Sequence, residues 1–293
     1  MKPSSFNPLL LNTALTSAID RLTAAKVGSP RLNAEVLLMF TLSCERAYLY
    51  AHPERELTAD EHSRYDQALS AREQGVPSQY ITGHQEFWGI DLIVSPAVLI
   101  PRPETEHVIE TVLELTRERR VPSPGSRLNL ADVGTGSGCI ALALAKELAE
   151  AEIHATEISP AALEIAEANA ARLQFAHRIQ FHDADLLTGL PPNFFDFVVS
   201  NPPYVGNSEE DQVQLEVRKF EPRNAVFAGP SGLEVIENLI PAALAALKPG
   251  GWLVMEISGA IVEGVKQLLS RWDKVRIVSD LQGIPRVAAA QKP

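Results

Sequence analysis

Leu128-Asn129-Leu130-Ala131-Asp132-Val133-Gly134-Thr135-Gly136-Ser137-Gly138-Cys139 is the stretch on which the fold turns. The apolar run ending at Val133 reads as a buried strand, and Cys139 to Leu148 repeats apolar residues at helical spacing. Between them, glycines at alternate positions let the backbone turn sharply, and without β-carbons they let a nucleotide-like molecule lie directly on the main chain. The loop lacks the spacing of G-x-G-x-x-G, which favours a dinucleotide less. It also lacks the Lys-Ser/Thr ending of a phosphate-binding loop.

The alternation continues on the carboxyl side, which implies parallel βαβ units. Strands are expected at Ile153 to Thr156, Ile179 to His182 and Phe194 to Val199, with a helix over Pro160 to Leu173. Ser231 with Glu234 predicts a capping box opening a helix to Leu247, broken by Lys248-Pro249-Gly250-Gly251. Trp252 to Ile257 then reads as a strand, Ile261 to Trp272 as a helix, and Val275 to Leu281 with Arg286 to Ala289 as a closing antiparallel pair. Glu157, about 20 residues beyond the glycines, stands where an acidic side chain takes both hydroxyls of a ribose. A solvated acidic residue at a strand end is the alternative. Ribose recognition without a pyrophosphate cradle suits S-adenosylmethionine, with Asp183, Asp185 and Leu186 bordering the adenine.

Asn201-Pro202-Pro203-Tyr204 follows the apolar run Phe194 to Ser200 and sits at that strand's carboxyl end, where ligands of open α/β sheets collect. Two consecutive prolines fix φ and remove two backbone donors, so Asn201 is displayed from a stiff turn. It reads either as a presented amide or as a turn-capping Asn.

On the amino-terminal side the texture is helical. Leu9, Leu10, Leu11, Leu15, Ile19 and Leu22 recur at helical spacing, and Ser29-Pro30 opens a helix through Leu32, Val36, Leu37 and Phe40. Thr58 with Glu61 predicts a capping box for a third helix through Tyr65, Leu69 and Glu73, stopped at Gly75 and Pro77. No convincing strand is expected in the first 75 or so residues. Gln79 to Pro103 reads as a β-hairpin, with Tyr80-Ile81-Thr82 in its first strand-like run, followed by Arg102 held between two prolines, where it can face an anion or a carboxylate. Thr105 or a neighbour starts a helix through Val108, Ile109, Val112 and Leu113, and 118–127 reads as a surface loop. Three domains are expected: a helical bundle over 1–76 for packing or partner recognition, a hairpin linker over 77–103, and an α/β domain over 104–293.

Thirty-seven acidic against 26 basic residues give a formal charge of −11, which disfavours a protein that neutralises a run of phosphates. No direct nucleic-acid partner is expected. The chain carries no apolar run of membrane-spanning length, and Met1 to Ser5 lack a secretory layout, so a cytoplasmic protein is expected. Cys44 and Cys139 are expected as reduced thiols, and the seven histidines lack zinc-site spacing, so no metal is expected.

Taken together these segments resemble the protein-(glutamine-N5) methyltransferases that modify peptide-release factors, the PrmC or HemK family of class I methyltransferases. The resemblance runs through Gly83-His84-Gln85-Glu86-Phe87-Trp88-Gly89, Leu99 to Glu106, Asp132 to Cys139, Asn201 to Tyr204, Phe220-Glu221-Pro222, Gly229 to Leu233 and Leu247 to Gly251. Asn-Pro-Pro-Tyr alone is shared with DNA adenine-N6 methyltransferases, whereas Ile-Pro-Arg-Pro-Glu-Thr-Glu before a glycine loop is much more specific. The departures are modest: Glu157 where Asp is frequent, Leu186 where some members carry an aromatic ring, and Glu256-Ile257-Ser258-Gly259 where Glu-Ile-Gly is usual.

The resemblance implies a Rossmann-like, seven-stranded α/β domain behind a helical substrate-recognition domain. It implies S-adenosylmethionine as methyl donor, S-adenosylhomocysteine as product, and a class 1 peptide chain release factor as protein substrate of a monomeric enzyme. Gly134, Thr135, Gly136, Ser137, Gly138, Glu157, Asp185, Leu186 and Asn201 are the expected cofactor contacts. The acceptor is then the amide nitrogen of glutamine in Gly-Gly-Gln. Asn201 Oδ1 and the Pro202 carbonyl would accept its two protons and hold the nitrogen about 3–3.5 Å from the methyl carbon. Pro203 and Tyr204 would wall the glutamine stem. The competing readings are a glutamine methyltransferase of a ribosomal protein, a DNA or RNA adenine-N6 methyltransferase stacking a base on Tyr204, and a non-catalytic cofactor-binding module.

Overall fold

The computed structural model describes residues 9–118 and 127–293. The surface loop expected over 118–127 falls almost wholly outside them, as do Met1 to Ser5. Contacts divide the chain into two compact units, Met1–Gly83 and His84–Pro293.

In the first unit, two-residue strands β1 (Leu9–Leu10) and β2 (Glu56–Leu57) pair antiparallel. The helices are α1 (Leu11–Ala24), α2 (Pro30–Leu42), α3 (Arg46–Ala51), α4 (Ala59–Glu73) and α5 (Ser78–Thr82). Leu11, Leu15, Leu22, Leu37, Leu38, Tyr65 and Leu69 form their common core. The Thr58 capping box forms: Glu61 N donates to Thr58 Oγ1 at 3.2 Å and Thr58 N to Glu61 Oε2 at 2.9 Å, an arrangement worth about 1 kcal/mol. Three sequence expectations change. The short pairing of β1 with β2 appears where no strand was expected. Helix α3, with six residues, is too short to show a period. Tyr80-Ile81-Thr82, expected in a strand, lies in α5, which Gly83 ends in the left-handed conformation at φ 76°.

The second unit opens with β3 (His84–Phe87) and β4 (Ile90–Ile93), a hairpin closed by Trp88-Gly89. Both turn residues have positive φ, 55° and 64°, as the right-handed twist of a two-residue hairpin requires. Then follow α6 (Glu106–Glu118), β5 (Asn129–Val133), α7 (Cys139–Glu147), β6 (Glu152–Glu157), α8 (Pro160–Arg172), β7 (Ile179–Asp183) and β8 (Phe195–Ser200). After β9 (Val205–Gly206), α9 (Leu215–Phe220), α10 (Arg223–Val226) and β10 (Phe227–Gly229) come α11 (Glu234–Ala246), β11 (Leu247–Glu256), α12 (Val262–Leu268), β12 (Asp273–Ser279) and β13 (Pro285–Gln291).

Seven strands make one sheet in the order β12-β13-β11-β8-β5-β6-β7. The five from β11 to β7 are parallel, and the closing pair is antiparallel. Leu130, Phe197, Val199 and Val254 pack with α6 and α7, while Ala131, Val198, Leu253 and Met255 pack with α11 and α12. Both faces are thereby covered, which accounts for the continuous apolar runs in the central strands. The chain runs from β5 outward through β6 and β7, then returns to β8 on the other side of β5. The switch point of the sheet therefore lies between β5 and β8, where ligands of such sheets bind.

Helix α11 starts two residues later than its Ser231–Glu234 signal implies. Half of the capping box forms, with Ser231 N donating to Glu234 Oε1 at 2.8 Å, while Ser231 Oγ accepts from the Leu233 amide at 3.3 Å. Gly232 between them has φ 85°, which no right-handed helix accommodates. Beyond the helix, strand β11 begins at Leu247, just before the Lys248-Pro249-Gly250-Gly251 breaker, and absorbs it as an irregularity in its pairing with β8.

Candidate active site

Strand register brings the two loops together. Val133 faces Ser200 across β5 and β8, and Ser200 Oγ donates to the Val133 carbonyl at 2.8 Å. The glycine loop and Asn201-Pro202-Pro203-Tyr204 therefore leave the sheet side by side. A cavity of about 490 Å³ lies over these ends, with Gly134 to Ser137 on its floor, Glu157 to Ser159 at one side, Ala184 to Leu186 beyond, and Asn201 to Pro203 at the other.

The loop's shape follows from its glycines and from β6. The amides of Gly134 and Thr135 both donate to the Thr156 carbonyl at 2.9 Å. Gly134 and Gly136 have φ of 70° and 57°, and a β-carbon on either would meet no protein atom within 4 Å. The space above them is the cavity. Asp132, wholly buried beneath the loop, accepts from Thr135 Oγ1 at 2.6 Å and from the Ala141 amide at 3.1 Å. Burial pushes its carboxyl up to about 7, against the pull of those two donors.

Glu157 accepts the Gly136 amide on Oε2 at 2.9 Å and the Ser159 amide on Oε1 at 3.0 Å. A carboxylate offers about four lone-pair directions, so each oxygen keeps capacity for one further donor. Leu186, at φ 51° in the left-handed region, lines the far wall with Ala184 and Asp185. Ile158, an exposed apolar side chain beside Glu157, lines the same cavity.

Asn201 Nδ2 donates to Thr105 Oγ1 at 3.1 Å, and the Thr105 hydroxyl donates to Glu256 Oε2 at 2.6 Å. The Tyr204 hydroxyl donates to Glu256 Oε1 at 2.9 Å. Glu256, at the end of β11, thus collects hydroxyls from the segment before α6 and from the tetrapeptide. Its burial raises its carboxyl above the ordinary range, and burial together with the neighbouring carboxylate raises the Tyr204 phenol. A second cavity, of about 380 Å³, is lined by Tyr204, Val205, Val213, Val217, Glu256 and Arg286. It shares Leu99, Asn201, Pro202, Pro203 and Ala225 with the first, so the two meet at the tetrapeptide.

Arg102 faces a carboxylate of the protein itself. It donates to Glu221 Oε1, while the Ile100 amide donates to Glu221 Oε2 at 3.1 Å. The Glu221 side chain is only 1% exposed. This bond joins Phe220-Glu221-Pro222 to Ile100-Pro101-Arg102, and Pro101, Pro222 and Ala225 line the first cavity.

Of the residues expected from sequence, Gly134, Thr135, Gly136, Ser137, Glu157, Asp185, Leu186, Asn201, Pro202 and Pro203 line the first cavity, and Tyr204 lines the second. Gly138 and Asp183 line neither. A β-carbon on Gly138 would stand 3.2 Å from Leu142 Cδ1 and 3.4 Å from Ala166 Cβ, so that glycine permits close helix packing. Thr105, Ile158 and Glu256 were missed as site residues. Thr105 lay within the quoted Ile-Pro-Arg-Pro-Glu-Thr-Glu segment, and Ile158 follows the acidic residue directly, so both had a local signal. Glu256 had its place at a strand end and its match to the first residue of the family's usual Glu-Ile-Gly.

The alternating glycines above open space and the unfilled acceptor capacity of Glu157 fit a ribose-bearing ligand such as S-adenosylmethionine. Two family models match the chain: the PrmC N-terminal domain over residues 13–83 and the methyltransferase small domain over 119–219. The chain is 54% identical to a release factor glutamine methyltransferase of Koribacter versatilis, covering 97% of this chain and 99% of that one. It is 41% identical to the protein of that name from Moorella thermoacetica, with the same coverage of each. Among solved structures it is similar to the N-terminal domain of human METTL16 in complex with SAH, with a TM-score of 0.53 and 16% identity over 87% of this chain and 94% of that one. The hMettl16 catalytic domain bound to a MAT2A 3′UTR hairpin gives 0.56 and 18% over 82% and 85%. These two share the Rossmann-like methyltransferase fold, whereas the full-length identity to the curated relatives is far closer: the chain belongs to the family of release factor glutamine methyltransferases.

Proposed function

We propose that this protein transfers the methyl group of S-adenosylmethionine to the side-chain amide nitrogen of the glutamine in the Gly-Gly-Gln motif of class 1 peptide chain release factors, in the cytoplasm. The observation that carries the reading is the meeting of two cavities at Asn201, Pro202 and Pro203. One has a floor of glycines and Glu157 of a kind suited to a nucleoside, and the other opens beside Tyr204 on a scale suited to a side chain and its flanking glycines. The names of the full-length relatives point to the same acceptor.

The cofactor, when bound, supplies a methyl group already activated on a sulfonium. The chain's task is then to hold a weakly nucleophilic amide in line with it. Glu157 takes the ribose hydroxyls, Gly134 and Gly136 let the donor lie on the backbone, and Ile158 with Leu186 covers the adenine. Asn201 Oδ1 and the Pro202 carbonyl accept the two protons of the glutamine amide, and the same acceptors favour the positive charge that develops on its nitrogen. Pro203 and Tyr204 wall the glutamine stem. No strong base is required, because the alkylated amide is acidic enough to lose its proton to water. The helical unit serves as the docking module for the release factor.

Purified protein supplied with tritiated S-adenosylmethionine and, in parallel, release factor, ribosomal proteins and unmethylated DNA tests the reading. Label should enter the release factor alone and disappear when the glutamine of Gly-Gly-Gln is replaced. Label in ribosomal protein or DNA instead would refute the acceptor. Asn201→Ala should abolish transfer while cofactor binding stays measurable. Glu157→Ala should raise the cofactor dissociation constant.

A further inference from the structure

We propose that Thr105 and Glu256 are positioning residues that set which end of the Asn201 side-chain amide faces the substrate. The inference rests on the reading above for the identity of the acceptor and concerns how that site is held in register.

A side-chain amide can occupy one slot in two ways, with oxygen and nitrogen exchanged. The two are alike in shape and opposite in chemistry. Only the orientation that leaves Oδ1 available can accept a proton from an incoming amide. Both Glu256 oxygens serve as acceptors, Oε1 from the Tyr204 hydroxyl and Oε2 from the Thr105 hydroxyl at 2.6 Å, so the single hydroxyl hydrogen of Thr105 is committed to Glu256. Thr105 Oγ1 then presents lone pairs alone to Asn201. That oxygen attracts Nδ2, found at 3.1 Å, and repels Oδ1. Polarity is thus transmitted from Glu256 through Thr105 to Asn201 without either positioning residue touching the reacting atoms.

Burial makes the transmission effective. Thr105 is 1% exposed and Glu256 2%, so water does not compete for their bonds, and hydrogen bonds in such surroundings polarise one another. The Tyr204 hydroxyl holds the other carboxylate oxygen at 2.9 Å, which fixes the carboxylate plane and ties both ends of Asn201-Pro202-Pro203-Tyr204 to one anchor. Glu256 ends β11, Thr105 precedes α6, and Asn201 follows β8, so three separate elements converge on the amide.

The test compares Thr105→Val, which removes the hydroxyl at nearly constant shape, with Thr105→Ser, which keeps it. Steady-state methyl transfer to release factor, cofactor dissociation constants and hydrogen exchange of the Asn201 side-chain amide are measured on each. The amide signal is assigned by its loss in Asn201→Ala. Thr105→Val should lower kcat at least about 30-fold while KM and the cofactor dissociation constant stay within about threefold, as expected for an interaction exerted in the transition state. Exchange of the Asn201 amide hydrogens should accelerate at least about tenfold on loss of the hydrogen bond. Thr105→Ser should return both quantities to within about fivefold of wild type. Unchanged kcat with unchanged exchange in Thr105→Val, or a Thr105→Ser as impaired as Thr105→Val, overturns the proposal. If Thr105→Val does not fold, Glu256→Gln replaces it. Its amide accepts from only one of the two hydroxyls, so kcat should fall, and exchange and kcat both at wild-type values overturn the proposal equally. A wild-type protein that leaves release factor unlabelled defeats the acceptor reading, and amide exchange in the variants then decides the positioning role alone.

Discussion

The Gly136 amide donates to Glu157 Oε2 at 2.9 Å, so the glycine loop and the carboxylate at the end of β6 form one rigid rim of the first cavity. Of the three alternating glycines, two open onto that cavity and one onto protein, and the distinction is measurable. Gly136→Ala places its β-carbon in space free of protein, at φ 57°, and should cost about 1–2 kcal/mol of stability from backbone strain alone. Its main effect should be on the cofactor dissociation constant, raised tenfold or more by the methyl group in the cradle, a loss of about 1.4 kcal/mol of binding. Gly138→Ala meets Leu142 and Ala166 and should lose about 2–3 kcal/mol of stability from strain and overpacking together. Urea unfolding and cofactor titration of both variants check this; equal effects on both quantities would remove the distinction.

Arg102 and Glu221 join the proline-pinned segment to the start of α10. Removing the carboxylate strands two donors, the guanidinium and the Ile100 amide, whereas removing the guanidinium leaves the amide bonded. Arg102→Ala leaves the Glu221 carboxylate, 1% exposed, without its counter-charge and should destabilise by about 3–5 kcal/mol, whereas Glu221→Ala leaves a partly solvated guanidinium and one amide and should cost about 1–3 kcal/mol. Chemical denaturation ranks the two. Glu221→Ala more damaging than Arg102→Ala would contradict this account of the buried charge.

Asp132 makes stability depend on pH. Burial moves its carboxyl from 3.8 up to about 7. Between those values the folded protein holds a proton that the unfolded chain releases, so this residue's contribution is fully present below about pH 4 and is lost as pH rises through about 7. Asp132→Asn, which can still accept from Thr135 and Ala141, should abolish that slope. The difference in unfolding free energy between wild type and variant should shift in the variant's favour from pH 5 to pH 7.5, and a pH-independent difference would count against the buried acid.

His154 and His182 contribute with the opposite sign. His154 Nδ1 and His182 Nε2 lie 3.0 Å apart in stacked rings, with the edges of Phe194 and Phe195 against His154. Burial lowers both from their ordinary 6.5, aided at His182 by the charge of its neighbour and opposed at His154 by Glu152. The unfolded chain then takes up protons first as pH falls below about 6.5, so stability is lost in that direction. Replacing His182 with Gln should flatten this acid limb between pH 6.5 and 5 in urea titrations. An unaltered limb would mean that the pair titrates alike in both states.

How much of this was legible in sequence depended on whether its cause was local. The strand, glycine loop and helix from Asn129 to Glu147 follow from the period of apolar residues and from positions that only glycine fills easily, and the Thr58–Glu61 box acts across three residues. The Rossmann-like class and the family resemblance could therefore be read from the chain itself. Local signals also misled where a neighbour outweighed them. Tyr80-Ile81-Thr82 has strand composition but sits in a helical turn ended by Gly83, and Gly232 delays the helix that Ser231 announces.

The partners of the site are different in kind. Arg102 meets Glu221 from 119 residues away, and Thr105 meets Glu256 from 151. No periodicity in a sequence encodes which strand lies beside which, and it is the sheet that places β11, which ends at Glu256, next to β8, which leads into Asn201. The sequence by itself determined that a glycine loop follows one strand end and that Asn201 follows another. Only the tertiary structure decided which way its amide points, because that orientation is imposed by buried groups from two distant parts of the chain.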